Sequence, residues 1–186
     1  MFSEGFSRPE LKKEEEPKRV YIELGAGRQP VPAEGKAFSE NDVYVGIDIK
    51  EKALKIGSKA TEDRQHSSKN QNTYFVRGDA TKLPLGSEIS DEVFMRNILG
   101  DPGIEEETKE SFLDEAWRIT KNGGCLIITE KYTPRKLKEV RKLLKQHGFV
   151  VKQTEKIEGH PSQFSTLDER FPYRVVAQKV SRQRTF

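Results

Sequence analysis

Cysteine occurs once in the 186 residues, at Cys125, tryptophan once, at Trp117, and methionine twice. A single cysteine excludes an internal disulfide and leaves no paired thiols to hold a metal, so we expect no metal site. No apolar run approaches the ~20 residues that span a bilayer, so no membrane partner is expected. The first nineteen residues, MFSEGFSRPELKKEEEPKR, lack the apolar stretch of a secretory signal, and the expected location is cytoplasmic. Apolar residues are also scarce, at 33% against 34% charged, which implies a compact core under a heavily charged surface. The net charge of +3 and a pI near 8.8 permit a nucleic-acid partner without requiring one.

What remains reads as one domain of about the usual size. Residues 1–19 alternate acid and base and bury too little to offset their ordering entropy, so they read as a flexible charged arm. The folded domain is expected over 20–180, with a basic tail at 181–186. Val20–Leu24 is a short apolar run that ends at Gly25, as a buried strand would. A second run, Val43–Ile47, ends at Asp48. A polar helix is expected over Glu51–Ala60, then a polar insert, EDRQHSSKNQN. Strands follow at Thr73–Val76 and Asp91–Ile98, a helix at Glu105–Thr120, a turn at Asn122-Gly123-Gly124, and a strand at Cys125–Thr129. Thr133 and Pro134 begin the clearest helix, with Leu137, Val140, Leu143 and Leu144 at helical spacing and Gly148 as its stop. Phe149–Gln153 and Tyr173–Val180 complete the strands. Alternating strands and helices predict one doubly wound α/β domain: a mostly parallel, seven-stranded sheet with an antiparallel last strand.

Ligands of such sheets lie at the carboxyl ends of the strands, near the point where strand order reverses. Gly25 and Gly27 fall just past the first strand, where absent side chains admit a ligand to the backbone. Asp48 ends the second strand about twenty residues on, where an acid takes ribose hydroxyls. These features suit a dinucleotide equally well. Pro30, however, stands where the third glycine of a dinucleotide fingerprint belongs. Glu23 would repel a pyrophosphate but suits an ammonium group, and Asp79 ends the third strand as an acid for an adenine amino group. An amino acid, a ribose and an adenine without phosphate match S-adenosylmethionine.

Glu23-Leu24-Gly25-Ala26-Gly27 resembles motif I of class I S-adenosylmethionine-dependent methyltransferases. Asp48 resembles their ribose-binding acid, and GDATKLPLGSEISDEVFMRNIL their motif III to IV region, with Asp79 at the adenine position. FLDEAWRITKNGGCLIITE resembles their L-x-E-x-x-R-V-L-K-P-G-G stretch, and Arg96-Asn97 is similar to the ubiquinone/menaquinone branch. The resemblance covers about residues 19–180. It implies a Rossmann-like fold and a cofactor site of Glu23, Gly25, Ala26, Gly27, Arg28, Asp48, Ile49, Asp79, Ala80 and Asn97, with Arg28 near the cofactor's carboxylate. It departs from the family where a helix should follow motif I: Pro30, Pro32 and Gly35 disfavour one, leaving a short turn from Ala33 to Phe38.

Each of these residues also has a plainer reading: a tight turn for the glycines, a helix cap for Asp48, a loop acid for Asp79, a surface pair for Glu23. Acceptor-site candidates are Asn97, Asp101 and His160, in the loop after strand four and in the Gly159–Pro172 loop. Trp117 and Cys125 read as packed residues. No Asn-Pro-Pro-Tyr signature of base amino-group methylation occurs, and the acceptor is undetermined, with a small molecule or a structured RNA expected. The basic helix 135–145 is the candidate RNA contact. Two other classes stay open: a non-catalytic binding protein on the same fold, and a dinucleotide-dependent oxidoreductase.

Overall fold

The computed structural model describes residues 18–65, 72–157 and 171–180. The expected arm up to residue 17, the tail, His160 and most of the Gly159–Pro172 loop lie outside the described residues. Strand β1 is Val20–Leu24, β2 is Val43–Asp48 and β3 is Thr73–Arg77. Strand β4 is Ser90–Arg96, β5 is Thr120–Tyr132, β6 is Phe149–Lys156 and β7 is Phe171–Lys179. Helix α1 spans Glu51–Gln65, α2 spans Glu106–Ile119 and α3 spans Pro134–Gln146.

The strands form one sheet in the order β3-β2-β1-β4-β5-β7-β6. Strands β1 to β5 are parallel, and β7 runs antiparallel to both β5 and β6. The expected architecture is therefore the observed one. Strand order reverses between β1 and β4, which fixes where a crevice opens.

Alternation along the strands makes two unequal faces. Ile22, Leu24, Val93, Met95, Leu126, Ile128, Val175 and Ala177 face Leu113, Ala116 and Ile119 of α2 and Val140 and Leu144 of α3 in the main core. Tyr21, Tyr44, Phe94 and Ile127 on the other face form a smaller cluster with Val31 and Phe38. The segment joining β1 to β2 supplies that cover. Pro30 and Pro32 deny it an α-helix, and only a four-residue 3-10 turn forms, Val31–Glu34, stopped by Gly35 at φ +93°. Aromatic contacts replace helix packing: Phe38 lies 4.7 Å from Tyr21 and 5.5 Å from Tyr44. The Lys36 ammonium sits 4.3 Å from the Phe94 ring and 2.7 Å from Glu92, which tethers the segment further. The turn expected from Ala33 to Phe38 thus comes two residues early.

Other expectations shift as well, and β7 starts two residues before Tyr173. Helix α1 runs five residues past Ala60, into the supposed insert, because Glu, Arg and Gln are good helix formers. Residues 66–71 lie outside the described residues. The Asn122-Gly123-Gly124 turn is an irregularity inside β5, which starts at Thr120: Ser90 pairs Thr120 but Glu92 pairs Cys125. Gly123 at φ +79° permits that extra loop of backbone. Strand β6 extends to Lys156, its polar half paired with β7 and half in solvent. Strand β4 starts at Ser90 and stops at Arg96, before Asn97 at φ +53°. Helix α3 keeps its expected cap, Thr133 accepting the Lys136 N–H at 3.2 Å.

Candidate cofactor site

Gly25 and Gly27 take φ of +70° and +59°, a region that costs a side-chain-bearing residue about 1–2 kcal/mol. A Cβ on Gly25 would lie 2.9 Å from Ile98 Cδ1, so that side chain would have to shift to admit one. The chain turns so sharply here that the Gly27 N–H donates to Asp48 Oδ2 at 3.0 Å, and Ala26 N–H to the Ile47 carbonyl at 2.9 Å. Asp48 Oδ1 accepts the Lys50 N–H at 2.7 Å. Asp48 thus braces the glycine turn and caps the chain into α1. A carboxylate has about four lone-pair sites, so two bonds leave capacity for ribose hydroxyls.

A two-lobed cleft opens over these strand ends. One lobe, of about 600 Å³, is lined by Gly27, Arg28, Asp48, Ile49, Lys50 and Arg77 among others. The second, of about 630 Å³, is lined by Gly25, Ala26, Gly27, Arg28, Gln29, Glu34, Arg96 and Asn97 among others. Gly27 and Arg28 belong to both. Ile49 is 61% exposed, an aliphatic side chain standing beside the ribose-type acid. The cleft therefore brings together Gly25, Ala26, Gly27, Arg28, Asp48, Ile49 and Asn97. It does not gather Asp79, Ala80 or Asp101. The Asp79 carboxylate accepts both the N–H and the hydroxyl of Thr81, which hold it below the usual carboxylate range. Ala80 packs into the main core, and Asp101 accepts the Gly103 N–H in its own turn.

Glu23 has a different place from the expected one. It is fully buried, and it faces donors on every side. Its Oε2 accepts the Val31 N–H at 2.8 Å and the Tyr44 hydroxyl, and its Oε1 accepts from Arg96 Nε at 2.8 Å and Nη2 at 2.7 Å. Burial pushes the Glu23 carboxyl above its ordinary value, and the Arg96 guanidinium opposes that. Burial beside Glu23 likewise raises the Tyr44 hydroxyl. Arg96 also donates to the Gln29 carbonyl and holds Glu34 at 2.5 Å through Nη1. One guanidinium at the end of β4 thus clamps β1 and both ends of the segment that replaces a helix. Glu23 serves this clamp and does not reach the cleft.

Sequence reasoning missed three further residues. Gly57, inside α1, lets that helix approach the glycine turn: a Cβ there would stand 2.7 Å from the Gly27 carbonyl oxygen and 3.0 Å from Pro30. A glycine inside a helix costs roughly 1 kcal/mol against alanine, and that cost was the available signal. Gly57→Ala is expected to weaken cofactor binding roughly tenfold, a loss of about 1.4 kcal/mol, while Tm moves by only a few degrees, since helix propensity offsets the strain. Calorimetry and thermal melts on the same preparation separate the two effects. Glu130, 5% exposed at the end of β5, accepts from the Gly100 N–H and from the Tyr132 hydroxyl at 2.8 Å, fixing the loop after β4. Burial raises the pKa of both Glu130 and Tyr132. Glu34 emerges only from the fold, because nothing in VPAEG marks it.

The motif quoted from α2 also acquires a physical reason. Glu115 accepts the Leu83 N–H at 2.7 Å and pairs with Arg118 at 2.6 Å. Arg118 in turn donates to the Leu85 carbonyl at 2.7 Å, so the two residues brace the helix-free segment between β3 and β4.

No curated protein matches the chain. Its fold is shared with an S-adenosylmethionine-dependent methyltransferase from Methanosarcina mazei at a TM-score of 0.66 and 15% identity, over 88% of this chain and 93% of that one. A putative methyltransferase from Bacillus halodurans aligns at a TM-score of 0.67 and 18% identity, over 88% and 94%. The geranyl diphosphate C-methyltransferase of Streptomyces coelicolor, solved with S-adenosyl-L-homocysteine, aligns at 0.62 and 10%, over 87% and 74%. Residues 22–128, from the middle of β1 to the middle of β5, match the family model described as a methyltransferase domain, so the chain belongs to the methyltransferase-domain family with the S-adenosylmethionine-dependent methyltransferase fold.

Proposed function

We propose that the chain is an S-adenosylmethionine-dependent methyltransferase whose cofactor lies in the two-lobed cleft. The observation that carries this is the pairing of Gly25 and Gly27, whose backbone a ligand can approach, with the Asp48 carboxylate that braces them. Asp48 and Ile49 would hold the ribose and the adenine face, and the Gly25–Gly27 turn with Arg28 and Asn97 the amino-acid end. Bound there, S-adenosylmethionine supplies a methyl group already activated on a sulfonium. The chain's residues bind, orient and exclude water, and such chemistry needs no strong base. The Glu130-anchored loop after β4 would border the reacting end. The absence of an α-helix directly after β1 argues against a pyrophosphate, which favours a helix N-terminus. The same missing helix is the one feature that favours a non-catalytic binding protein. Calorimetric binding of S-adenosylmethionine and S-adenosylhomocysteine decides between them, and no binding by the intact protein would remove catalysis from consideration.

For the acceptor, helix α3 supports a structured RNA. Its apolar stripe is buried through Val140 and Leu144, and Lys138, Arg141, Lys142 and Lys145 are exposed. None of these four has an ion-pair partner among the described residues, unlike Arg135 and Lys136, which pair with Glu139. A stripe of this kind tracks a phosphate backbone. Reversing these four charges is expected to abolish methylation of RNA while S-adenosylhomocysteine affinity stays unchanged. Labelled-methyl transfer to total RNA reads this directly. Retained RNA methylation in the variant removes α3 as the contact, and an intact protein that transfers methyl groups only to small metabolites sinks the RNA reading.

A further inference from the structure

We infer that Glu34, held in place by Arg96, is the carboxylate that receives the ammonium group at the cofactor's amino-acid end, in place of Glu23. The inference rests on the cofactor reading above and assigns one contact within it.

An amino-acid end removed from water needs an acceptor for its ammonium and a cation for its carboxylate, because burying either unpaired is costly. Motif I offers Glu23 for the ammonium, but that carboxylate is 0% exposed and its oxygens are taken by Val31, Tyr44 and Arg96. Freeing it would break the bonds that hold the helix-free segment. Glu34 lines the same lobe as Gly25, Gly27, Arg28 and Asn97, and its side chain is 54% exposed. Only its Oε2 is engaged, by Arg96 Nη1 at 2.5 Å; Oε1 accepts no hydrogen bond among the described residues.

Its placement is not left to a floppy loop. Arg96 is itself oriented by Glu23 and the Gln29 carbonyl, so the guanidinium presents Nη1 in a fixed direction. Pro30 and Pro32 restrict the backbone on one side of Glu34, and Gly35 closes the turn on the other. The charges also balance. Glu23 and Glu34 against Arg96 leave one negative charge in excess, and exposed Arg28 stands at the same lobe with no ion-pair partner among the described residues. An acid in excess and a separate cation complement a zwitterion.

The test uses the full chain and three ligands in calorimetry: S-adenosylhomocysteine, its analogue lacking the amino group, and 5′-methylthioadenosine, which lacks the amino-acid end. Glu34→Gln keeps the size and removes the charge at a half-exposed position, so the fold survives. The variant is expected to bind S-adenosylhomocysteine about ten- to a hundredfold more weakly, the worth of one hydrogen bond to a charged group, with the other two ligands unchanged. Unchanged S-adenosylhomocysteine binding overturns the inference. An equal loss for all three ligands overturns it too, because Glu34 would then only shape the loop. Intact protein that binds methylthioadenosine as tightly as S-adenosylhomocysteine removes the contact but leaves the cofactor site standing. Intact protein that binds none of the three removes both.

Discussion

Asp48→Ala is expected to lower S-adenosylhomocysteine affinity by at least about a hundredfold, because hydrogen bonds to a charged group are worth about 1.5–3 kcal/mol each and the ribose offers two. Two losses combine. The ribose hydroxyls lose their acceptor. The half-buried Gly27 N–H also loses Asp48 Oδ2, its partner at 3.0 Å, so the glycine turn loosens under the ligand that remains. Leaving that donor unsatisfied costs the folded protein about 1–3 kcal/mol, so the variant should also melt lower. Asp48→Asn separates the two losses. The amide keeps one oxygen for Gly27 but sets its NH2 against the exposed Lys50 N–H, which must turn to water, so stability should be partly restored while affinity stays roughly tenfold down. Titration calorimetry beside thermal melts reads both axes. Affinity within threefold of the intact protein for Asp48→Ala would sink the placement of the ribose in this lobe.

The fold was open to sequence reasoning where local pattern and tertiary context agree. Val20–Leu24, Val43–Asp48 and the Thr133-Pro134 start of α3 each combine an apolar period with a stop or cap signal, and each stands where expected. Boundaries failed where polar residues carry regular structure, as past Ala60 in α1 and at Thr154–Lys156. A polar run reads as loop, although the neighbouring turn of helix or paired strand decides. The cleft divides the same way. Asp48 follows from its spacing to Gly25, a local fact with a geometric reason. Glu23, Glu34 and Arg96 are 73 positions apart at the extremes, and which acid faces the cleft depends on a pairing of β1 with β4 that no local pattern states. The prolines told correctly that a helix was missing. They did not tell that an arginine from β4 would do the helix's work of ordering the segment.

Arg96→Met is expected to be the most destabilising single change in the cleft. It leaves the Glu23 carboxylate, 0% exposed, with a hydroxyl and one N–H but no countercharge. Breaking a buried pair by removing one partner costs about 3–5 kcal/mol. At roughly 2–4 °C per kcal/mol for a chain of this size, Tm should fall by about 10 °C. The pH dependence carries a definite sign. Burial already raises the Glu23 pKa above its ordinary value, and losing the opposing guanidinium raises it further. A raised folded pKa means that the stability is present below the unfolded value and lost as pH rises through the folded one. The deficit of Arg96→Met should therefore be largest at neutral and alkaline pH and narrow as pH falls toward the ordinary glutamate value. Glu23→Gln combined with Arg96→Met removes the orphaned charge while the amide oxygen still accepts from Val31 and Tyr44, and it should recover most of the loss at neutral pH. Urea melts across pH test both statements. A loss below about 1 kcal/mol with no pH dependence would mean that Glu23 is protonated beside Arg96 and that the clamp is not an ion pair. Whatever stability the double variant regains, the Gln29 carbonyl and Glu34 have still lost their donor, so cofactor affinity should stay low. A clamp that acted only on stability would return both together.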